Sequence, residues 1–290
     1  MTPISSLEAG APLEGVYAVR RKERRLSRQG RPFLALTLAD ATGAVPAVVF
    51  DEPDFFSSQF EEGDRVRVTG RVSERDGRNR VVVSHVRPAP DDAGAEDLLP
   101  RSHRDPDELF GFVLHLADEV ADPGLRATLE ALTGDPGLAS AWRTMPCTRS
   151  GHHAYMGGLV EHTVGVASVV QALAVWHPRL DADLVLAAAL VHDIGHARAF
   201  RLGATFELTD EGRLLGHVAI GHEIVGDAAR GAGLAPGRRA ELLHALDWHH
   251  GPPPGQPPTA ASPEALALWR ANQLETGVKA RLEGPGPADS

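Results

Sequence analysis

Two periodicities divide the chain. From Gly15 to about residue 90, apolar and polar positions alternate with a period of two, the mark of half-buried strands. Val16-Tyr17-Ala18-Val19 runs into a basic stretch, Arg20-Arg21-Lys22-Glu23-Arg24-Arg25, and then a polar turn near Gln29-Gly30. Phe33 to Leu38 alternates, Asp40-Ala41-Thr42-Gly43 turns the chain, and Val45 to Phe50 follows. A short helix fits Asp54 to Phe60. After the turn Glu62-Gly63-Asp64, Arg65 to Val68 alternates again, and Asp76-Gly77 is a hairpin signal leading into Val81-Val82-Val83. Five short strands with a helix between the third and fourth predict an OB-fold, a small closed barrel that often binds single strands. Residues 1–13 read as a short leader without a period.

Pro88 to Asp107 is rich in Pro, Asp, Gly and Ala and reads as a linker. Beyond it the period becomes helical. Helices fit roughly Pro106–Val120, Pro123–Leu132, Pro136–Thr144, Gly158–Trp176, Asp181–His192, Asp210–Gly231, Pro236–His249 and Pro263–Leu282. Ser262-Pro263-Glu264 supplies a capping hydroxyl, a proline in the first turn and an acid at the positive helix end. Gly251 before Pro252-Pro253-Pro254 is a stop. No β pattern follows residue 100, so the second domain is expected to be all-α, with Gly284 to Ser290 a frayed tail. The organisation expected is a barrel at 14–90, a linker at 91–105 and a helical domain at 106–283.

The 290 residues suit two domains. One cysteine, Cys147, rules out an internal disulfide and fits a reducing compartment. No secretory signal opens the chain and no apolar stretch reaches bilayer-spanning length, so the expectation is a cytoplasmic protein without a membrane partner. The net charge of −10 argues against a nucleic-acid partner until its distribution is considered. Residues 14–90 hold 14 Arg and Lys against 11 Asp and Glu, a net of +3, which leaves −13 for the rest. Lys22 and Lys279 are the only lysines, so nearly every cation is a guanidinium suited to phosphate. The barrel is therefore read as a single-strand binder. Arg20, Arg21, Lys22, Arg24, Arg25, Arg28 and Arg31 cluster at one hairpin, and Tyr17 and Phe33 are placed to stack on bases.

The helical half carries metal-liking residues on four segments: His162, the adjacent His192-Asp193, His217, and the adjacent His249-His250. Imidazole with carboxylate suits Zn²⁺, Mn²⁺, Fe²⁺ or, with more oxygen, Mg²⁺, and helices make a rigid frame for such a site. Spacing narrows the choice. His217 and His222, five apart, diverge by roughly 140° around a helix, as do His244 and His249. His217 is favoured, with the pair at 249–250, where a helix end lets neighbours diverge.

Gly151-His152-His153-Ala154-Tyr155-Met156-Gly157-Gly158-Leu159-Val160-Glu161-His162-Thr163 resembles the opening signature of the YhaM-type 3′→5′ exoribonucleases, whose catalytic part is an HD domain. So do Leu190-Val191-His192-Asp193-Ile194-Gly195, Thr209 to His217, and His249-His250-Gly251. The order, OB-fold and then an all-α HD-type domain, is similar too, over roughly residues 14–282. The resemblance implies His162, His192 and Asp193 on one divalent metal, Mn²⁺ first, with Fe²⁺, Zn²⁺ or Mg²⁺ as alternatives. It implies Asp193 bridging to a second ion held by His217, His249 and His250. Asp193, His192 and Arg213 would carry the catalysis, with His152, His153 and Arg213 near the substrate phosphate. The chain departs from the pattern at Asn272, which stands where the family ends its metal set with Asp, and Glu275 one turn on is the alternative ligand. His196 takes the place of a lysine beside the substrate.

The function so implied is a metal-dependent exonuclease that hydrolyses single-stranded RNA, and DNA as a second substrate, from the 3′ end and releases 5′-mononucleotides. Self-association is compatible with it. Two other readings stay open on the residues alone: a phosphohydrolase of free nucleotides or cyclic dinucleotides, and a non-catalytic nucleic-acid-binding protein with a degenerate metal site.

Overall fold

Alternation along the N-terminal strands places one side chain in two inside a barrel. The computed structural model describes residues 2–75, 77–90 and 98–283. Strands β1 (Pro12–Leu26), β2 (Pro32–Asp40), β3 (Gly43–Val49), β4 (Arg65–Arg75) and β5 (Arg78–Pro88) close in the order β1-β2-β3-β5-β4. β3 and β5 pair in parallel, and the remaining pairs are antiparallel. Leu13, Val19, Leu34, Leu36, Leu38, Val66, Val68 and Val81 fill the interior. Helix α1 (Pro53–Ser57), between β3 and β4, adds Phe56.

Three readings of this half change. β1 does not stop before the basic stretch. Lys22 pairs with Leu36 and Arg25 with Phe33, so the arginines ride on a continuous hairpin. Polar residues on both faces erase the period-two signal there, and the partner strand β2 overrides it. Tyr17 is fully buried in the barrel and its hydroxyl donates to the Thr2 carbonyl at 2.8 Å, so it offers no ring to a base. The leader is not formless: Ile4 and Leu7 are buried in the barrel core, and the Ile4 amide donates to Asp40 Oδ2 at 2.8 Å. Asp76, residues 91–97 of the expected linker, and the tail 284–290 lie outside the described residues.

The second half is helical: α2 (Pro106–Glu119), α3 (Pro123–Gly134), α4 (Pro136–Thr144), α5 (Gly158–Trp176), α6 (Ala182–Val191), α7 (His196–Ala199), α8 (Asp210–Gly231), α9 (Pro236–Asp247) and α10 (Pro263–Glu283). Three helices begin alike. Asp105, Asp122 and Asp135 each accept from first-turn amides, and each is followed by proline at the first helical position. Two elements have no forerunner in the sequence reading. They are the single turn α7 and a two-stranded sheet, β6 (Phe200–Leu202) with β7 (Phe206–Leu208). Strands of three residues are too short to show a period. Leu202–Glu207 belong to the compact unit of the barrel, and the other described helical residues form the second unit.

α5 is the one helix among the described residues long and apolar enough, by length and composition alone, to cross a membrane, contrary to the sequence expectation. Its Leu159, Val160, Val166, Ala167 and Val170 lie in the helical core beside α6, whose residues Leu184 to Val191 are all buried.

Arg238 on α9 ties helix starts together. It donates to Asp122 Oδ2 at 3.0 Å, Asp181 Oδ2 at 2.6 Å and Glu241 Oε2 at 3.0 Å. The Arg238 bond holds the Asp181 carboxyl below its ordinary range. Asp122 also falls low. Burial there pushes upward, but the Leu125 amide and Arg238 outweigh it. Depressed carboxylates stabilise the fold above their unfolded pKa, and that stability is lost as pH falls through the folded one. Arg238→Met should therefore cost about 2 kcal/mol at neutral pH. Its urea midpoint should also fall less than wild type's between about pH 5 and pH 3. A wild-type acid slope in the variant would show that the arginine does not set these carboxylates.

Candidate metal centre and nucleic-acid face

The apolar run of α6 ends at Val191, so His192 and Asp193 fall in the turn that follows, still buried. Gly195 makes the next step possible. A Cβ there would lie 1.9 Å from the His217 carbonyl, so only glycine lets α8 approach this turn. Gly216, at φ +75°, breaks the helical run of α8 immediately before His217. α9 ends at Asp247, leaving His249 and His250 on the turn where neighbours diverge. His162 comes from the first half of α5 and is fully buried.

These side chains divide between the two oxygens of Asp193. Oδ2 lies 3.4 Å from His162 Nε2 and 3.4 Å from His192 Nε2. Oδ1 lies 3.3 Å from His249 Nε2 and 3.5 Å from His217 Nε2, and His250 Nε2 is 2.9 Å from His217 Nε2. In each set, His162–His192–Asp193 and Asp193–His217–His249–His250, the donor atoms lie within 4.8 Å of one another. The two sets share one carboxylate.

The opposite edges of the rings decide what the facing nitrogens can be. His192 Nδ1 meets the Ala189 carbonyl at 2.8 Å, His249 Nδ1 meets the Leu246 carbonyl, and His162 Nδ1 meets Glu275 Oε2 at 2.6 Å. The two carbonyls can only accept, so Nδ1 of His192 and of His249 carries a proton, and the Glu275 carboxylate, when ionised, fixes the same tautomer at His162; Nε2 of each such ring, when neutral, presents a lone pair. His162 Nε2 and His192 Nε2 then face each other at 3.1 Å with the carboxylate beside both. Asp193 Oδ1, His249 Nε2 and Asn272 Oδ1 are buried with no hydrogen-bond partner. Lone pairs meeting lone pairs in a dry cluster repel unless a positive charge sits between them. This is the outer-shell pattern of metal-binding histidine, and the residues fit divalent ions at both sets.

Charges agree. Burial pushes His162 down to about 3 and His217 and His250 down to about 4, neutral forms ready to coordinate. Burial would raise Asp193, but the imidazoles, His192 foremost, hold it well below the usual carboxylate range. The field of Asp193 in turn outweighs burial at His192 and raises it. Without an ion the cluster draws a proton to its centre, and a cation does the same office.

A cavity of about 440 Å³ opens over the cluster, lined among others by His152, His162, Asp193, His196, His217 and Asn272. His152 is thus on the wall. His153 is not: it is buried behind, its Nε2 3.3 Å from Glu275 Oε1. Arg213 is not on the wall either. It is 63% exposed and bound to Asp210 at 2.6 Å, so the geometry does not bring it to the substrate phosphate. His196 is buried with its ring stacked on His217, centroids 4.1 Å apart, and its Nε2 3.9 Å from Asp193 Oδ2. Burial pushes it down to about 3, so it brings no positive charge in place of the lysine. Asn272 donates through Nδ2 to the His249 carbonyl at 3.0 Å. Glu275 is an orienting acceptor for His162, a role that helix periodicity alone could not reveal.

On the barrel, Lys22 is spent internally. Its ammonium donates to the Ser57 and Phe60 carbonyls and pairs with Glu61 at 2.6 Å. Arg20 is half-buried. Arg24 pairs with Asp54, and Arg25 with Glu23, both at 2.6 Å in exposed positions. Arg28 and Arg31 stand exposed at the β1–β2 turn. Phe33, half-buried, packs against Phe50 at 5.8 Å, and Phe50 is 48% exposed. Phe50 was missed by sequence reasoning. Its parity against Val49, which pairs with inward Leu34, marks it as outward.

A family model described as an HD domain matches residues 159–277, and one described as an OB-fold nucleic acid binding domain matches residues 17–89. The chain is 27% identical over 245 residues to a 3′-5′ exoribonuclease YhaM of Halalkalibacterium halodurans, covering 84% of this chain and 76% of that protein. It is 25% identical over 274 residues to the protein of the same name from Bacillus licheniformis, covering 93% and 87%. Among solved structures it is similar to the second OB-fold domain of replication protein A from Methanococcus maripaludis. That match has 21% identity and a TM-score of 0.25, over 30% of this chain and 92% of that one.

If Glu275 holds the His162 tautomer, Glu275→Ala should weaken Mn²⁺ binding about 10- to 100-fold by calorimetry or chelator competition. Glu275→Gln still offers an oxygen to Nδ1 and should lose less. Equal Mn²⁺ affinity in the alanine variant and wild type would remove the orienting role.

Proposed function

We infer that this chain, a member of the YhaM-type family, is a metal-dependent 3′→5′ exoribonuclease that acts on single-stranded RNA. The observation that carries the chemistry is the shared carboxylate: Asp193 gives one oxygen to each of two histidine sets. Divalent ions held there, Mn²⁺ in our reading, would polarise the scissile phosphate and acidify water at neutral pH. The chain's own residues do the rest. Asp193 stays ionised in the dry cluster, and the Nδ1 bonds of His162, His192 and His249 keep the rings aimed. His152, on the cavity wall and with its ring 5.9 Å from His162, is placed to hydrogen-bond a phosphate oxygen.

Hydrolysis at the terminal phosphodiester breaks the bond to the preceding 3′ oxygen and releases a 5′-mononucleotide. The barrel supplies a sequence-independent grip, with Phe33 and Phe50 as stacking rings and Arg28 and Arg31 for phosphates. DNA is a second substrate in this reading, and the cytoplasm is the compartment it assigns. Neither the free-nucleotide reading nor the relic reading has a feature of its own in support, because Asn272 leaves the donors of both sets in place.

A 3′-labelled oligoribonucleotide should yield labelled mononucleotide with Mn²⁺, and His192→Ala should reduce the rate by about 100-fold or more. Mononucleotide release by His192→Ala at the wild-type rate would place the activity elsewhere. The Arg28→Gln/Arg31→Gln double variant should raise KM and lower the slope of log KM against log salt by about 1.4, the single-strand value for two phosphate contacts. An unchanged slope would take these two arginines off the binding face.

A further inference from the structure

Loop 145–157 joins α4 to α5 and is pinned on both sides of its tip. The Cys147 amide donates to the His153 carbonyl at 3.1 Å, and Thr148 Oγ1 donates to the His152 carbonyl at 2.6 Å. One foot reaches the metal centre through Cys147 Sγ, which donates to Asp193 Oδ2 at 3.4 Å. The other reaches it through the rings of His152 and His153, 5.9 and 5.3 Å from His162. Arg149 stands at the exposed tip between these feet.

Two facts single out Arg149. It is the one Lys or Arg among the residues lining the cavity, whose one acid is Asp193. Among the described residues it also has no carboxylate partner. Other arginines of the helical half are taken: Arg143 by Asp107, Arg198 by Glu211 and Glu223, and Arg213 by Asp210. An unpaired guanidinium on a short, doubly tethered loop gives up little entropy and no existing ion pair when it meets an anion. Nucleotides and their phosphodiesters bring such an anion to a wall on which Arg149 is the one guanidinium.

We propose that Arg149 is the phosphate-binding residue of this cavity, taking the anionic oxygens of the bound nucleotide in its guanidinium fork, the part that sequence resemblance gives to Arg213. The proposal rests on the phosphohydrolase reading of the site only in requiring that the ligand carry a phosphate.

The test is calorimetric binding of 5′-AMP to the full chain loaded with Mn²⁺. Arg149→Met should weaken AMP binding about 10-fold or more, and Arg149→Lys should restore part of it. Mn²⁺ affinity should be the same in all three proteins, which separates a phosphate contact from a disturbed loop. In turnover the methionine variant should raise KM for an oligonucleotide more than it lowers kcat. Unchanged AMP affinity in Arg149→Met would overturn the proposal. So would a wild-type protein that does not bind AMP, or a loss that appears in Arg213→Met instead. Arg149-dependent AMP binding by a protein that releases no mononucleotide from RNA would support this assignment while removing the exonuclease reading.

Discussion

Everything in the helical half answers to one electrostatic demand: a buried carboxylate surrounded by imidazole lone pairs needs a positive charge among them. His162, His192 and His249 each use their Nδ1 proton on an acceptor behind the ring. A ring that is neutral and spends its Nδ1 proton this way has none left for Asp193. Burying an ionised carboxylate among lone pairs costs several kcal/mol unless a positive charge offsets it, and a cation among the donors, or a proton in its absence, supplies that charge. Metal binding should thus be coupled to the stability of the fold around it.

That coupling explains why the supporting structure is stiff. Two of the Nδ1 acceptors are backbone carbonyls at helix ends, Ala189 and Leu246, so ring orientation follows directly from where α6 and α9 stop. The approach of α8 depends on Gly195 having no side chain, and the direction of His217 on the break at Gly216. Glu275 is held in turn by burial, which pushes its carboxyl up to about 7 in the absence of an ion. The wall therefore offers little play, as a site that must hold donors in place before the ion arrives requires.

Much of this was legible in the chain. Three helix starts, at Pro106, Pro123 and Pro136, were placed at the right residue, and the five-strand alternation announced the barrel. The same six His and Asp positions drawn from spacing and resemblance, 162, 192, 193, 217, 249 and 250, stand together in space. What escaped was whatever depends on the partner across the fold. β1 runs on through arginines because β2 pairs with it, Tyr17 turns inward by strand parity, and Phe50 turns outward by the same rule. Arg213 and Arg149 look alike in sequence. Only the fold shows that Asp210 has claimed the first and that the second stands at the cavity. Glu275 read as a substitute ligand because helical spacing puts it near Asn272, yet its carboxylate lies behind His162.

Asn272 is where this chain departs from the pattern it otherwise resembles, and the geometry shows what the amide does there. Its Nδ2 donates to the His249 carbonyl, a bond that an aspartate, having only acceptors, could not make. The amide thus braces the backbone of one ligand while its own Oδ1 stays buried and unpaired. A carboxylate would offer the ion a full negative charge but set an oxygen against that carbonyl. The amide gives up Coulomb attraction at one corner and gains rigidity at the next. With Asp193 then the sole acid on the cavity wall, the pull on any cation falls more heavily on the imidazoles, which favours ions that accept nitrogen ligands over those that demand oxygen.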